Sequence, residues 1–153
     1  MKIRDIESIV NSNLSLDVAL RLVKENSDVN VSLAALLDRK GQDAFFAGEY
    51  WANYVYKVCA GNAYLSNSQR AFQSTRAAGF CFDKASKSAE TLELLDAAIE
   101  CRKKAAEIYK LIHYSIDERY AREEILRLER KRRVALGQSL SDEEHDALIN
   151  GNR

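Results

Sequence analysis

The sequence contains no proline, and its six glycines are scattered along 153 residues. Proline and glycine mark most tight turns and strand ends, so their scarcity leaves helices as the expected structure. A membrane-spanning helix is also not expected, because it needs roughly 18 consecutive apolar residues. The most apolar region, 44–65, is interrupted by Glu49, Asn53 and Lys57. The sequence therefore predicts a soluble, helical protein.

Charge of one sign is lacking as well, because 23 Lys and Arg side chains balance 23 Asp and Glu side chains. This neutrality argues against a surface that is devoted as a whole to nucleic acid or to a membrane. The chain is also too rich in apolar residues to be disordered, since 46% of it is hydrophobic. One domain with a hydrophobic core of ordinary size is expected.

Cysteine and histidine are few. Cys59, Cys81 and Cys101 are spaced 22 and 20 residues apart and form no CxxC pattern. An odd number of cysteines does not form a fully paired set of disulfides, which favours a reducing, cytoplasmic location. The first seven residues alternate charged and apolar side chains, which predicts no signal peptide.

Apolar residues recur at helical spacing along almost the whole chain, whereas no segment alternates as a strand would. The S-x-x-Q pattern at 66–69 and the S-x-x-E pattern at 141–144 are typical of capping boxes at helix starts. The sequence predicts an all-α helical bundle of five to seven helices. We expect a helical domain over 1–137 and a short helix and tail over 138–153. The expected helices lie near 3–11, 16–26, 31–65, 69–87, 90–135 and 142–149, with Gly41 dividing the third.

The predicted helix over 90–135 is too long for a compact domain. At 1.5 Å per residue it would extend roughly 65 to 70 Å, whereas a domain of this size has a radius of gyration of about 15 Å. Either the helix breaks near Tyr114 and Ser115, or its end projects, or it packs against a second copy. Projection or pairing in a homodimer is the favoured prediction. Arg102 falls on the apolar side of this helix and interrupts the row of apolar residues there.

Candidate catalytic groups are sparse. Tyr109, His113 and Asp117 would share one face of a continuous helix and are the only arrangement that suggests acid–base chemistry. His145 lies among acidic residues on a short helix, but adjacent side chains point about 100° apart and do not converge on one ion. No glycine-rich phosphate loop is present. We expect a protein that is not an enzyme and has no metal or cofactor.

Seven of the thirteen aromatic residues lie between 45 and 64. On one helix they would occupy two sides, with Phe46, Tyr50 and Tyr64 opposite the main apolar side. This pattern predicts either a central helix that is covered on both sides or a contact surface of the aromatic and polar kind that binding hot spots favour. Phe46, Tyr50 and Tyr64 are the predicted anchors for a partner protein.

Small residues dominate the segment 70–86, where Phe72, Phe80 and Phe82 lie between them. Small side chains allow two helix backbones to approach closely. The pattern favours tight packing within the protein, and the alternative is a groove in which a partner helix docks.

A basic run ends the long predicted helix. Its spacing gives three i,i+4 pairs of Glu before Arg, at 118/122, 123/127 and 129/133, so most of the face is expected to neutralise itself in solvent. A partner protein is the second interpretation and nucleic acid the third. The residues predicted to complement a charged partner are Arg127, Arg130, Arg132 and Arg133.

These observations favour a protein–protein interaction module, acting as a small adaptor or as a regulator or inhibitor of a larger protein. The alternative is a nucleic-acid-binding protein that uses the basic helix end. A helix-turn-helix over 16–40 is a weaker form of that alternative, because the helix that would read DNA carries Leu33, Leu36 and Leu37 where polar side chains are needed.

Overall fold

A computed structural model describes residues 3–12, 18, 21, 31–66, 72–137 and 144. This part of the chain contains helices and turns and no strand, which confirms the predicted all-α bundle. None of the helices in this part has the length and apolar content that a membrane span needs. The six helices are α1 (Ile3–Val10), α2 (Val31–Phe46), α3 (Tyr50–Leu65), α4 (Phe72–Thr91), α5 (Leu95–Leu111) and α6 (Ser115–Ala135).

Helices that follow one another in the chain are neighbours in space. From α2 to α6 each helix packs mainly against the helix before it and the helix after it, while α1 packs on α3. The connections 47–49, 92–94 and 112–114 are only three residues long, and such short links place consecutive helices side by side and antiparallel. The described helices therefore form a bundle in which α4 lies between α3 and α5.

The three short corners have the same backbone conformation. Each contains a residue with positive φ, namely Gly48, Glu93 or His113. In each, the backbone N–H of the third residue past the helix donates a hydrogen bond to a carbonyl five residues earlier, as in a Schellman motif. These bonds run from Glu49 to Ala44 at 2.9 Å, from Leu94 to Ala89 at 2.8 Å and from Tyr114 to Tyr109 at 2.8 Å.

The prediction of one long helix over 90–135 is wrong. α4 continues to Thr91, and two of the corners then divide the remainder into α5 and α6. The break at 112–114 lies close to Tyr114 and Ser115, where one of the three predicted alternatives placed it. With this break, α5 and α6 are short enough to pack within the bundle without a projecting end. The apolar spacing continues through this corner, so periodicity alone did not reveal the turn.

Gly41 does not divide a helix, because it lies inside α2, and the break comes instead at 47–49. Its lack of a side chain serves packing. A Cβ at this position would lie 3.1 Å from Cγ of Lys57, whose aliphatic stem crosses the helix here. The backbone carbonyl of Gly41 also accepts a hydrogen bond of 2.7 Å from Nδ2 of Asn53.

The central position of α3 explains its two aromatic sides. Almost all of its residues from 52 to 63 are buried, including Tyr54, Tyr56 and the polar Asn53. The small residues of α4 face inward, as the packing prediction required. A Cβ at Gly79 would lie only 2.7 Å from Cε1 of Tyr109, so the close approach of α4 and α5 depends on glycine there.

Several predictions concern segments that lie mostly outside the described part of the chain. They are the helix over 16–26 with the helix-turn-helix that would contain it, the capping boxes at 66–69 and 141–144, the helix over 142–149 and the tail that begins at 138.

Candidate interaction surface

The three aromatic residues predicted as anchors do not form one face. Phe46 is 77% exposed at the corner between α2 and α3, where the Phe45 ring contacts those of Phe46 and Tyr50 at 6.0 and 6.1 Å. Tyr64 lies near the opposite end of α3, about 21 Å from Tyr50 along the helix axis. The corner keeps Phe46 and Tyr50 together and leaves Tyr64 apart.

Tyr64 lines an open cleft of about 490 Å³ between α2 and α3. Beside it, the Lys57 ammonium is buried and forms an ion pair with Asp38. Burial, together with the negative charge of Asp38, raises the pKa of Tyr64 to about 12. Deeper in the bundle, the Ser88 hydroxyl donates a 2.5 Å hydrogen bond to Oδ1 of Asn53. These contacts connect α2, α3 and α4 and are structural in character.

Arg127, the first of the predicted charge complements, is held inside the protein. Its two Nη atoms bond the carboxylate of Glu90 in α4 at 2.8 and 2.5 Å, and its Nε bonds Glu124 at 2.6 Å. Lys131 adds a 3.0 Å contact to Glu90. The hydrogen bonds from Arg127 and Lys131 lower the pKa of Glu90 to about 2.

The other predicted arginines also have carboxylate partners. Arg132 bonds Asp96 at 2.8 Å, Arg130 lies 3.9 Å from Glu144, and Arg133 forms an ion pair with the same Glu144. The basic run is thus neutralised largely by residues that are distant in sequence. Of the three predicted i,i+4 pairs, 118/122 forms with a distance of 2.9 Å, whereas Arg127 and Arg133 pair elsewhere.

A second polar network connects α4, α5 and α6 around Arg102, which is only 2% exposed. Its Nη1 lies 2.8 Å from Asp83, and its Nη2 lies 3.6 Å from Glu124. The Tyr109 hydroxyl donates a 2.5 Å hydrogen bond to Asp83. Burial raises the pKa of Asp83 despite these two partners. Within the described part of the chain, the Nε of Arg102 has no hydrogen-bond partner.

The corner at 112–114 interrupts the helical line proposed for Tyr109, His113 and Asp117, although His113 and Asp117 line the same shallow cleft. α5 ends at Leu111, and His113 lies exposed in the following corner with a φ of 60°. Helical spacing therefore no longer relates His113 to the other two residues, and the Tyr109 hydroxyl is engaged by Asp83. The enzyme hypothesis therefore loses the continuous helix face on which it was based.

Metal-ligand types are not clustered in the described residues, where no group of three or more His, Cys, Asp or Glu side chains surrounds one point. His145 lies outside these residues. The three cysteines are free and buried. Burial raises the pKa of Cys59 and of Cys101 to about 12, so these thiols are held in the unreactive protonated form.

The most distinctive exposed feature is a row of side chains along the outer face of α4, and the sequence reasoning did not select it. We call this row the α4 stripe. Its members follow one another at intervals of four, four, four and three residues, which keeps them on one side of a helix. They are Phe72, Arg76, Phe80, Lys84 and Lys87, all of them exposed.

The two phenylalanines of the α4 stripe are fixed by buried or half-buried tyrosines. The Phe72 ring meets the Tyr114 ring edge-on at 5.5 Å, and the Phe80 ring lies 6.0 Å from Tyr109. Tyr109 and Tyr114 stack on each other at 6.4 Å. Arg76 lies over the Phe80 ring at 5.8 Å and donates a 3.3 Å hydrogen bond to the Tyr114 hydroxyl.

The cations of the α4 stripe form no ion pair within the described structure, although the positive charge of Lys87 acts on the carboxylate of Asp83. Neither Arg76, Lys84 nor Lys87 forms an ion pair with a carboxylate of the described residues. Partial burial and then the positive charges of Lys87 and Lys57 lower the pKa of Lys84. This contrasts with α6, where arginines and carboxylates alternate and pair.

The sequence contained a signal for the α4 stripe. Phe72 and Phe80 are eight residues apart with Arg76 midway, and Asp83 is the one acidic residue that lies four positions from Arg76, Lys84 or Lys87. Which side faces solvent became clear only with the fold.

Comparison of the chain with protein-family models, with curated proteins and with solved structures finds no match.

Proposed function

We propose that this protein is a non-enzymatic protein–protein interaction module, a small adaptor or a regulator of a larger protein, that binds its partner through the α4 stripe. The observation that carries the proposal is the pairing of two rigidly held, half-exposed phenylalanines with three cations that lack described carboxylate partners. Aromatic residues and arginine are the types most enriched in binding hot spots.

The apolar area supports this choice. Phe72 and Phe80 are 49% and 43% exposed, and Ile116 is 84% exposed. Ile116 and Tyr114 line the same shallow cleft of about 340 Å³, next to Phe72. Because a phenylalanine side chain buries 150–250 Å², these residues leave on the order of 300 Å² of apolar surface, which is within the range of functional patches on monomers.

Rigidity also supports binding here. A side chain that is already held in one position loses little conformational freedom when a partner covers it. Phe72 and Phe80 are supported by tyrosines, and Tyr109 is itself anchored by Asp83 and Arg102. The buried network thus fixes Tyr109, which in turn supports the phenylalanines of the α4 stripe.

The nucleic-acid alternative has less support. Its phosphate contacts were expected from Arg127, Arg130, Arg132 and Arg133, and each of these has a carboxylate partner. The corner that carries Phe46 and Tyr50 stays a second candidate surface for a protein partner, and the test below distinguishes it from the α4 stripe.

The three unpaired cysteines support a reducing location for this module, and we propose the cytoplasm. Self-association is likewise part of the proposal, and sedimentation velocity over a concentration series tests it.

The test compares affinity captures from nuclease-treated host lysate by the wild type, by F72S/F80S and by F46S. We expect F72S/F80S to lose a stoichiometric partner that the wild type and F46S both retain. F46S is the matched control, because it also removes an exposed phenylalanine, but from the α2–α3 corner. Loss in F46S with retention in F72S/F80S would move the binding surface to that corner. Nuclease-sensitive material in place of a protein would contradict the proposal.

The variants must be folded for this comparison. Phe72 and Phe80 are each about half exposed, so their replacement should leave the far-ultraviolet circular dichroism unchanged. A second pair, F72L/F80L, keeps apolar bulk but removes the aromatic rings. If F72L/F80L is stable and still fails to capture the partner, the loss reports on the aromatic contact rather than on unfolding.

A further inference from the structure

We infer that the partner of the α4 stripe is an acidic protein segment, in which carboxylate side chains alternate with apolar or aromatic ones and successive side chains are about 6 Å apart. This inference rests on the proposed function and specifies the chemistry of the segment that the surface recognises. It follows from the order and the charge of the side chains along α4.

The spacing of about 6 Å comes from helix geometry. Successive members of the α4 stripe up to Lys84 are four residues apart, so each is displaced by about 6 Å along the axis. The order is apolar at Phe72, cationic at Arg76, apolar at Phe80 and cationic at Lys84 and Lys87. From Phe72 to Lys87 the α4 stripe extends about 22 Å, which matches a short segment of a partner chain.

The charge of the α4 stripe selects acids. Its three cations have no ion-pair partner among the described residues, and the pKa of Lys84 is lowered first by partial burial and then by the positive charges of Lys87 and Lys57. A carboxylate placed between Lys84 and Lys87 would relieve this repulsion. Arg76, stacked on Phe80, offers a planar guanidinium that suits bidentate binding of a second carboxylate.

A nucleic acid is a poorer fit to the same surface. Affinity for a nucleic acid grows with the number of phosphates that are neutralised, and well-characterised sites make about 6–10 such contacts. The α4 stripe offers only three exposed cations, Arg76, Lys84 and Lys87. A protein segment that alternates acidic and apolar residues satisfies the cations and the phenylalanines together.

The experiment selects peptides from a displayed random 16-residue library on the intact protein and measures selected synthetic peptides by fluorescence anisotropy. We expect Asp and Glu to be enriched together with Phe, Leu or Ile. The variant R76E/K84E/K87E should weaken binding of a selected peptide by about tenfold or more. K103E is the matched control, because Lys103 is an exposed cation on α5 that is not in the α4 stripe, and it should change the affinity less than about twofold.

Each alternative has its own result. Peptides that depend on Phe72 and Phe80 but carry no acids, and that bind the triple variant unchanged, would overturn this inference and leave the proposed function standing. Peptides indifferent to both sets of substitutions would overturn both. Binding of a 20-nucleotide single strand that the triple variant loses would show that the ligand is nucleic acid. A dimer in sedimentation velocity that F72S/F80S dissociates would show that the occupant is a second copy of the chain.

Discussion

Replacing Arg102 with methionine tests whether the buried network holds α4, α5 and α6 together. Methionine keeps much of the length of the arginine stem and carries no charge. The substitution removes the 2.8 Å contact to Asp83 and the 3.6 Å contact to Glu124. Glu124 would keep Arg127 as a partner at 2.6 Å. Asp83 would keep the hydroxyl of Tyr109 and the weaker attraction of Lys87, and this largely buried carboxylate would have no ion-pair partner.

The magnitude follows from these contacts. Removing one member of a buried ion pair typically costs about 3–5 kcal/mol, because the other charge stays buried without compensation. The substitution also removes the Nε of Arg102, which has no described partner and whose burial costs about 1 kcal/mol or more. We therefore expect Arg102→Met to lower the free energy of unfolding by about 3 kcal/mol, a large share of the 5–15 kcal/mol of an ordinary domain.

Urea denaturation measures this loss. The only tryptophan, Trp51, stacks on Tyr54 in the central helix and serves as the fluorescence reporter. With a slope of about 2 kcal/mol per molar urea, the expected loss moves the midpoint by about 1.5 M. The double variant Arg102→Met/Asp83→Asn is the matched control. It removes the uncompensated charge and should recover part of the loss.

The pH dependence gives an independent sign. Burial already raises the pKa of Asp83 in the folded protein, and the attraction of Arg102 opposes that rise. Without Arg102 the folded pKa rises further above the unfolded value. A carboxyl with a raised folded pKa stabilises the fold below its unfolded pKa and loses this contribution as the pH increases through the folded pKa. The deficit of Arg102→Met should therefore shrink on acidification. A loss below about 1 kcal/mol at pH 7, or a deficit independent of pH, would refute the reasoning.

Three further predictions concern packing, an ion pair and the thiols. Gly79→Ala should lower the free energy of unfolding by about 1–3 kcal/mol in thermal or urea denaturation, because the added Cβ would lie 2.7 Å from Tyr109; an unchanged midpoint would contradict the described contact of α4 and α5. Glu90→Gln should cost about 2 kcal/mol at pH 7 by weakening the pair with Arg127. Because the pKa of Glu90 is lowered to about 2, its contribution is present above the ordinary value and fades as the pH falls, so the two denaturation midpoints should converge between about pH 5 and 2. The three cysteines should resist Ellman's reagent in the native protein and react fully in concentrated guanidinium, since all are buried; rapid native reaction of one thiol would show that it is accessible.

The fold class followed from the sequence, whereas the corners did not. The lack of proline and the helical spacing of apolar residues correctly predicted an all-α bundle. The corner at 112–114 has no glycine, and His113 adopts positive φ there, which is unusual for a non-glycine residue. The apolar series continues across it through Ile112 and Ile116. Tertiary packing of α5 on α6 therefore decided a break that local propensity did not mark.

The candidate surface was predictable only in part. The functional class was inferred from exposed aromatic and basic residues, but the residues chosen were those in the densest patterns. Arg127 was assigned to a partner, and it instead pairs with Glu90, which is 37 residues away. Spacing rules reveal pairs within one helix and contain no information about a carboxylate on another helix. Phe72 and Phe80 were noticed, but which side of α4 is covered by α3 and α5 required the fold.

Packing by chain neighbours has a consequence for how the protein folds and opens. Most contacts are between segments close in sequence, and such low contact order is typical of fast folding. In a row of helices the terminal members would open first. Arg127 changes this order in the C-terminal half, because it joins α6 to α4 across α5. α4, α5 and α6 should therefore open as one cooperative unit, and α1, a short helix that packs on α3, should exchange its amide hydrogens earlier.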